Sequence, residues 1–250
     1  MKKVLVVIPS RYASTRFPGK PLATMQGKSM VQRVYEQAKK ATLAHEVVVA
    51  TDDDRIYEHV IAFGKAVMTD TAHNSGTDRC AEVAAAYNAD IIINVQGDEP
   101  FILPEQIDGL IKTFEDEAVN IATLVKPITN KEDIFNPNHV KVVINQQAEA
   151  MYFSRTALPY IRGREEEEWL QAFEFYKHIG IYAFRKTTLL EVAKLPESSL
   201  EKAEKLEQLR WLESGYKIKI VLTEFQSPAV DTPEDLQVVE KFLKTNPDFM

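Results

Sequence analysis

Arg11, Arg16 and Lys20 stand in the segment VLVVIPSRYASTRFPGK, Val4 to Lys20, where an apolar run gives way to a polar stretch with hydroxyls and one glycine. Two guanidinium groups and an ammonium this close together suit a polyanion, because arginine forks meet phosphate oxygens two at a time. The carboxyl ends of parallel strands are where α/β sheets take up ligands. A second chemical motif is IIINVQGDEP, Ile91 to Pro100. Its apolar run delivers Asp98 to the same edge, and Gly97 lets a ligand come close to the backbone. Magnesium prefers oxygen donors, commonly one or two carboxylates completed by substrate phosphates and water. Asp98 beside a triphosphate held by Arg11, Arg16 and Lys20 fits that chemistry. Taken alone, Asp98 or Glu99 reads equally well as a turn or cap acid; ordinary polar surface is the weaker alternative for the basic loop.

Neither common nucleotide loop is present. The dinucleotide pattern needs closely spaced glycines that are missing here, and a Walker A loop needs glycine five residues before Gly27-Lys28-Ser29, where Leu22 stands. This argues against a nicotinamide-dependent dehydrogenase and a P-loop kinase. The five histidines show no metal-ligand spacing. Cys80, the single cysteine, excludes an intramolecular disulfide framework and a Cys-rich zinc module, and it fits a reducing compartment.

The remaining composition describes a soluble globular chain of one domain, or one with an embellishment: 250 residues, 45% hydrophobic and 27% charged. The apolar run at the start ends at Pro9 and Arg11, too early for the core of a signal peptide. No later stretch approaches the roughly 20 apolar residues needed to cross a bilayer. A cytoplasmic chain without membrane insertion is expected. The net charge of −7 argues against a nucleic-acid binder that neutralises many phosphates. Residues 1 to 45 nevertheless hold nine basic side chains and one acid, so an acidic protein carries one cationic segment.

The elements that must position these groups follow from hydrophobic period and punctuation. Strands are expected at Val4 to Ile8, Val47 to Ala50, Ala66 to Met68 and Ile91 to Val95. They alternate with helices at Met30 to Ala41, Arg55 to Phe63, Asp78 to Tyr87 and Pro104 to Phe114. This is the alternation of βαβ units. Asp52 to Asp54 read as helix-capping acids rather than a metal cluster. From about residue 120 the pattern shifts to strands at Ile121 to Val125, Val140 to Ile144, Met151 to Phe153, Ile179 to Phe184 and Ile218 to Leu222. One long amphipathic helix is expected from Leu200 to Glu213, and a closing helix from Pro233 to Leu243. The charged run Arg162 to Glu168 reads as an exposed loop or helix start.

Several blocks together resemble the cytidylyltransferases that activate eight- and nine-carbon acidic sugars. They are IPSRYASTRFPGKPL (Ile8 to Leu22), SGTDR (Ser75 to Arg79), NVQGDEP (Asn94 to Pro100), FNPNHVKVV (Phe135 to Val143), YFSR (Tyr152 to Arg155), KHIGIYAF (Lys177 to Phe184), LEQLR (Leu206 to Arg210) and VDTPEDL (Val230 to Leu236). They cover nearly the whole chain. The resemblance implies a three-layer α/β fold of the nucleotide-diphospho-sugar-transferase type, Rossmann-like, with a mixed, mostly parallel sheet and helices on both faces. It also implies one nucleotidyltransferase domain over residues 1–250, in which the 140–185 region is the extension for sugar site and dimer contact.

The activity so implied is transfer of CMP from CTP to the anomeric hydroxyl of 3-deoxy-manno-octulosonate (KDO), with release of pyrophosphate and a requirement for magnesium, by a homodimer. A related sugar acid, such as the 8-amino analogue or sialic acid, and a non-catalytic nucleotide-binding module are the alternatives. By this likeness Arg11, Ser14, Arg16 and Lys20 hold the triphosphate. Asp98 and Asp231 hold the metal, and Ser75, Gly76, Thr77 and Arg79 face the nucleoside. Gln96, Arg155, His178, Tyr182, Glu207 and Gln208 face the sugar, with Arg155 or another base near its carboxylate. Ala183 and Phe184 stand where the family pattern has glycine and tyrosine, which removes any hydroxyl contact from position 184.

Overall fold

The apolar run after Asp90 forms a strand, Ile91–Asn94, in which every residue is buried, the pattern of a central strand covered by helices on both faces. The computed structural model describes residues 2–13, 17–225, 228, 230, 232, 234–246 and 249. Its nine-stranded sheet is built from β1 (Val4–Ser10), β2 (Glu46–Thr51), β3 (Ala66–Met68), β4 (Ile91–Asn94), β5 (Ile121–Pro127), β6 (Lys141–Ile144), β7 (Ala150–Ser154), β8 (Tyr176–Arg185) and β9 (Ile218–Leu222). Across the sheet the order is β9-β5-β8-β4-β1-β2-β3, with β6 added to β8 and β7 to β6. The pairs β4-β1, β1-β2, β2-β3 and β9-β5 are parallel. β8 runs antiparallel between β4 and β5, and the β6 and β7 additions are antiparallel too. The mixed, mostly parallel sheet expected from the sequence is present.

Alternation along the strands fills two cores. Val4, Val6 and Ile8 join Ile91 and Ile93 on one face, under α1 (Met30–Lys39), α2 (Asp54–Ile61) and α4 (Pro104–Lys112). Leu5, Val7 and Ile92 lie on the other, under α3 (Gly76–Ala86), α7 (Lys186–Val192) and α9 (Gln208–Glu213). The α1 stripe Val31, Val34, Tyr35, Ala38 is buried at helical spacing, and the Ser29 side chain caps its start by accepting from the Gln32 amide. The extension has a small core of its own, where Ile134 of α5 (Lys131–Phe135) meets Phe175 and Trp169 of α6 (Trp169–Ala172).

Three local readings change. Leu200 to Glu213 is not one helix: α8 (Ser199–Glu204) stops at Lys205, whose φ of 53° is left-handed, and α9 starts at Gln208. Asp52 does not cap α2; it pairs with Arg79 at 2.9 Å, while Asp53 caps and Asp54 fills the first turn. The closing helix α10 runs Asp235–Thr245, and its expected start at Pro233 lies outside the described residues. No helix among the described residues is long and apolar enough to cross a membrane.

Candidate active site

Parallel registry brings the two charged motifs to one edge. Val7 pairs with Asn94, so the loop after β1 and the loop after β4 leave the sheet side by side. A Cβ on Gly97 would lie 2.9 Å from the Pro9 carbonyl oxygen and 3.0 Å from Ser10 Oγ, so the two loops touch only because residue 97 has no side chain. The first loop is closed on itself by Gly19 donating to the Tyr12 carbonyl at 2.9 Å, with Gly19 at a φ of 72°. Arg55 lies over the Tyr12 ring, 3.3 Å from its centroid, and is itself held by Asp53.

Lys20 opens a short 3₁₀ turn, and its Nζ sits 2.8 Å from Asp98 Oδ2. The lysine side chain is 12% exposed and the aspartate 42%, so the carboxylate is the member of the pair that faces solvent. Both line a cavity of about 160 Å³ with Arg11, Gln96 and Gly97, room for a phosphate group rather than a whole drug-sized ligand. Arg11 lines the cavity too, and its Nη2 is buried without a hydrogen-bond partner, which is unusual for a buried donor. Larger cavities of about 410 and 530 Å³ lie at the opposite edge of the sheet, beside Tyr35 and Ile111, and contain none of these groups. Ser14, Arg16 and Asp231 lie outside the described residues.

On the nucleoside side, Ser75 caps α3 in a reciprocal box with Asp78. Gly76 approaches the Pro9 ring, where an added Cβ would be 3.2 Å from Cγ. Thr77 Oγ1 donates to Glu207 Oε2 at 2.6 Å. Arg79 is not in the cavity: it is fully buried and donates to Asp52 and Thr69, fixing α3 to the ends of β2 and β3.

The sugar-side candidates converge where β8 passes β4. Tyr182 registers with Asn94, Gly180 approaches Gln96, and the His178 ring packs between Phe153 at 5.1 Å and Tyr182 at 5.2 Å. Burial pushes the His178 imidazole down to about 3, so it is neutral near pH 7. The Tyr182 hydroxyl is buried without a partner, and burial, with Glu207 nearby, raises its pKa. Burial also raises Glu207, against hydrogen bonds from Thr77 and Ser75. Gln208 is buried beside it.

Arg155 is placed differently from the rest. Its guanidinium donates to the carbonyls of Glu204 at 2.7 Å, Pro137 at 3.1 Å and Lys205 at 3.4 Å. It caps the carboxyl end of α8 and so holds the break that presents Glu207.

A cytidylyltransferase family model matches residues 5–219. The 3-deoxy-manno-octulosonate cytidylyltransferase of Parabacteroides distasonis is 55% identical over 97% of this chain and 99% of its own. That of Bacteroides thetaiotaomicron is 51% identical over 97% and 98%. The chain belongs to the cytidylyltransferase family. A solved CMP:2-keto-3-deoxy-manno-octonic acid synthetase complexed with CTP superposes with a TM-score of 0.91 at 44% identity, covering 97% of this chain and 99% of that one. A 4-diphosphocytidyl-2C-methyl-D-erythritol synthase from Anaerococcus prevotii shares the fold at 14% identity and a TM-score of 0.63, covering 97% and 99%.

Within this cytidylyltransferase the sequence reading missed three supporting residues. Thr123 Oγ1 meets His178 Nε2 at 3.0 Å and the Ile181 carbonyl at 2.7 Å. Asn94 accepts from Gln96. Lys141 is fully buried, its ammonium donating to the carbonyls of Asn136, His139 and Arg155, and burial pushes it down to about 8. A lysine inside the apolar run VKVV was the available signal. Phe184 is buried against Trp211, ring centroids 5.3 Å apart, so its departure from the family pattern is a core contact. Cys80 is buried and its thiol raised by that burial, as suits a residue with no reactive role.

Proposed function

We propose that this cytidylyltransferase transfers CMP from CTP to the anomeric hydroxyl of 3-deoxy-manno-octulosonate and releases pyrophosphate. The observation that carries the reading is the Lys20–Asp98 pair at 2.8 Å, in a phosphate-sized cavity that Arg11 also lines. The sugar hydroxyl oxygen forms a bond to the α-phosphorus. The bond to the bridging oxygen opposite breaks, its electron pair leaves with pyrophosphate, and the hydroxyl proton passes to solvent. No enzyme nucleophile takes part. Arg11, Ser14, Arg16 and Lys20 bind the triphosphate and spread the charge that develops on the leaving group, so catalysis rests on positioning and preorganised charge.

Asp98, together with Asp231, would hold a magnesium ion. The donor set fits, since Asp98 offers a hard, solvent-facing carboxylate and no described residue donates to its Oδ1. Bound there, the ion neutralises charge at the reacting phosphate. Ser75, Gly76 and Thr77 face the nucleoside, while Arg79 serves that side from beneath by fixing α3. Gln96, His178, Tyr182, Glu207 and Gln208 face the sugar, whose hydroxyls supply the partner that the Tyr182 hydroxyl lacks. Arg155 serves the same side by holding the α8–α9 break rather than by meeting the sugar carboxylate.

Residues 1–250 work as one domain, in the cytoplasm, the compartment that suits a lone buried thiol. Met151, Tyr160 and Phe173 are exposed on the 140–185 extension and support pairing with a second copy, which sedimentation equilibrium tests. Pyrophosphate release, measured for the four nucleoside triphosphates against KDO, its 8-amino analogue and sialic acid, tests the chemistry. Turnover with CTP and KDO is expected. Turnover only with sugar 1-phosphates overturns the assignment, and CTP binding without pyrophosphate release reduces the chain to a binding module.

A further inference from the structure

Behind the phosphate loop lies an apolar cluster separate from the two that fill the sheet faces. It gathers side chains from segments far apart in sequence: Phe17, Met25, Phe101, Val230, Phe242 and Phe249. Three of these flank the charged groups of the site. Phe17 precedes Lys20 by three residues, Phe101 follows Asp98 by three, and Val230 precedes Asp231 directly.

Phe249 packs against three aromatic rings, those of Phe101 and Phe242 in this set and that of Phe225 beside it. Its ring lies 5.6 Å from Phe101, edge-on, 5.5 Å from Phe242, and stacked 5.8 Å from Phe225. Its carbonyl accepts from Arg33 Nη1 at 2.7 Å, and the buried Arg33 sends Nε and Nη2 to the Met25 carbonyl at 3.1 and 2.6 Å. One guanidinium therefore ties residue 249 to Met25 in the small antiparallel hairpin Thr24–Met25/Lys28–Ser29 that follows Lys20, while the ring ties it to the loop that follows Asp98.

We infer that Phe249 and Arg33 are positioning residues for nucleotidyl transfer: they set the spacing between the loop that carries Lys20 and the loop that carries Asp98. The inference rests on the reading that the Lys20–Asp98 cavity is the transfer site. Close-packed interiors pass displacement on rather than absorb it, and small misplacements of catalytic groups cost large factors in rate. The cluster lies outside both main cores, so its loss touches loop geometry more than global stability.

The test compares Phe249→Ala with Phe114→Ala, which opens the main core at a fully buried ring. Phe249→Ala is expected to lower kcat/KM for CTP by about tenfold or more with a small shift in Tm. Phe114→Ala is expected to lower Tm strongly and leave kcat/KM per folded molecule near that of the parent. Phe249→Tyr, which keeps the ring, restores activity, and Arg33→Met acts in the same direction as Phe249→Ala. Hydrogen exchange gives a readout apart from turnover. The amides of Gly19 and Lys20, bonded to Tyr12 and Phe17, and those of Glu99 and Ile102, bonded to Gln96 and Glu99, exchange faster in Phe249→Ala and not in Phe114→Ala. Unchanged kcat/KM and unchanged exchange in Phe249→Ala overturn the inference, as does an equal kinetic effect of Phe114→Ala. A parent protein that does not consume CTP sinks the transfer reading instead, and the exchange comparison still decides the positioning role.

Discussion

Thr77 Oγ1 donates to Glu207 Oε2 at 2.6 Å, joining the first turn of α3 to the break between α8 and α9. The bond spans 130 residues of sequence and links the nucleoside side of the site to the sugar side. A carboxylate this buried depends on its donors, because a charge deprived of hydrogen bonds in the interior is costly.

Thr77→Val therefore leaves Glu207 short of a donor and is expected to destabilise the fold by about 1–3 kcal/mol. Glu207→Gln in the same background removes the charge and recovers most of that loss. Urea denaturation of the two single variants and the double gives the coupling directly. Additive effects would show that the bond carries little energy.

Asp98 behaves differently because its carboxylate faces solvent. The ion pair with Lys20 is worth about 0–1 kcal/mol in such a setting, so Asp98→Asn is expected to leave Tm nearly unchanged. Turnover is expected to fall by about a hundredfold or more, the scale of losing a preorganised electrostatic group. Unchanged pyrophosphate release in Asp98→Asn rejects its metal role.

The contact between the two loops predicts a contrast between glycines. Gly97→Ala drives a Cβ to 2.9 Å from the Pro9 carbonyl oxygen, a backbone atom that cannot rotate away, whereas at Gly180 the nearest atom, Gln96 Cγ, is 3.9 Å off, an ordinary van der Waals contact. Gly97→Ala is expected to cost about 1–3 kcal/mol and to weaken CTP binding, seen by calorimetric titration. Gly180→Ala is expected to change stability by less than about 0.5 kcal/mol. Equal effects would remove steric approach as the reason for glycine at 97.

How far the sequence carried depended on the range of the interaction. Ala66–Met68 and Ile218–Leu222 were legible to the residue although they are edge strands and only partly buried, because short apolar runs bounded by polar residues read as strands. The break at Lys205 was not legible: Leu200 to Glu213 has a continuous helical stripe, and the carbonyls freed at the break are taken by Arg155, about fifty residues earlier. Arg79 was misread for the same reason. SGTD announces a helix start, but the partners of the arginine, Asp52 and Thr69, lie just past the ends of β2 and β3. The Lys20–Asp98 relation was legible because both follow parallel neighbours in one sheet, and topology alone brings their loops together.

The buried imidazole of His178 makes a prediction about acid. Its pKa is about 3 in the fold against the ordinary 6.5, so between those values the unfolded chain binds a proton that the native state refuses. Stability then rises with pH across the window and is lost as pH falls from 6.5 toward 3. A shift of this size corresponds to something on the order of 5 kcal/mol over the whole window. His178→Gln keeps a polar group near Thr123 and has nothing to protonate. Its urea midpoint is expected to be close to or below that of the parent at pH 7, and to fall less steeply toward pH 4. Parallel pH profiles for the two proteins would mean that His178 is hydrated enough to titrate normally in the fold, and the sugar-side group would then present a cation rather than a neutral ring at mildly acidic pH.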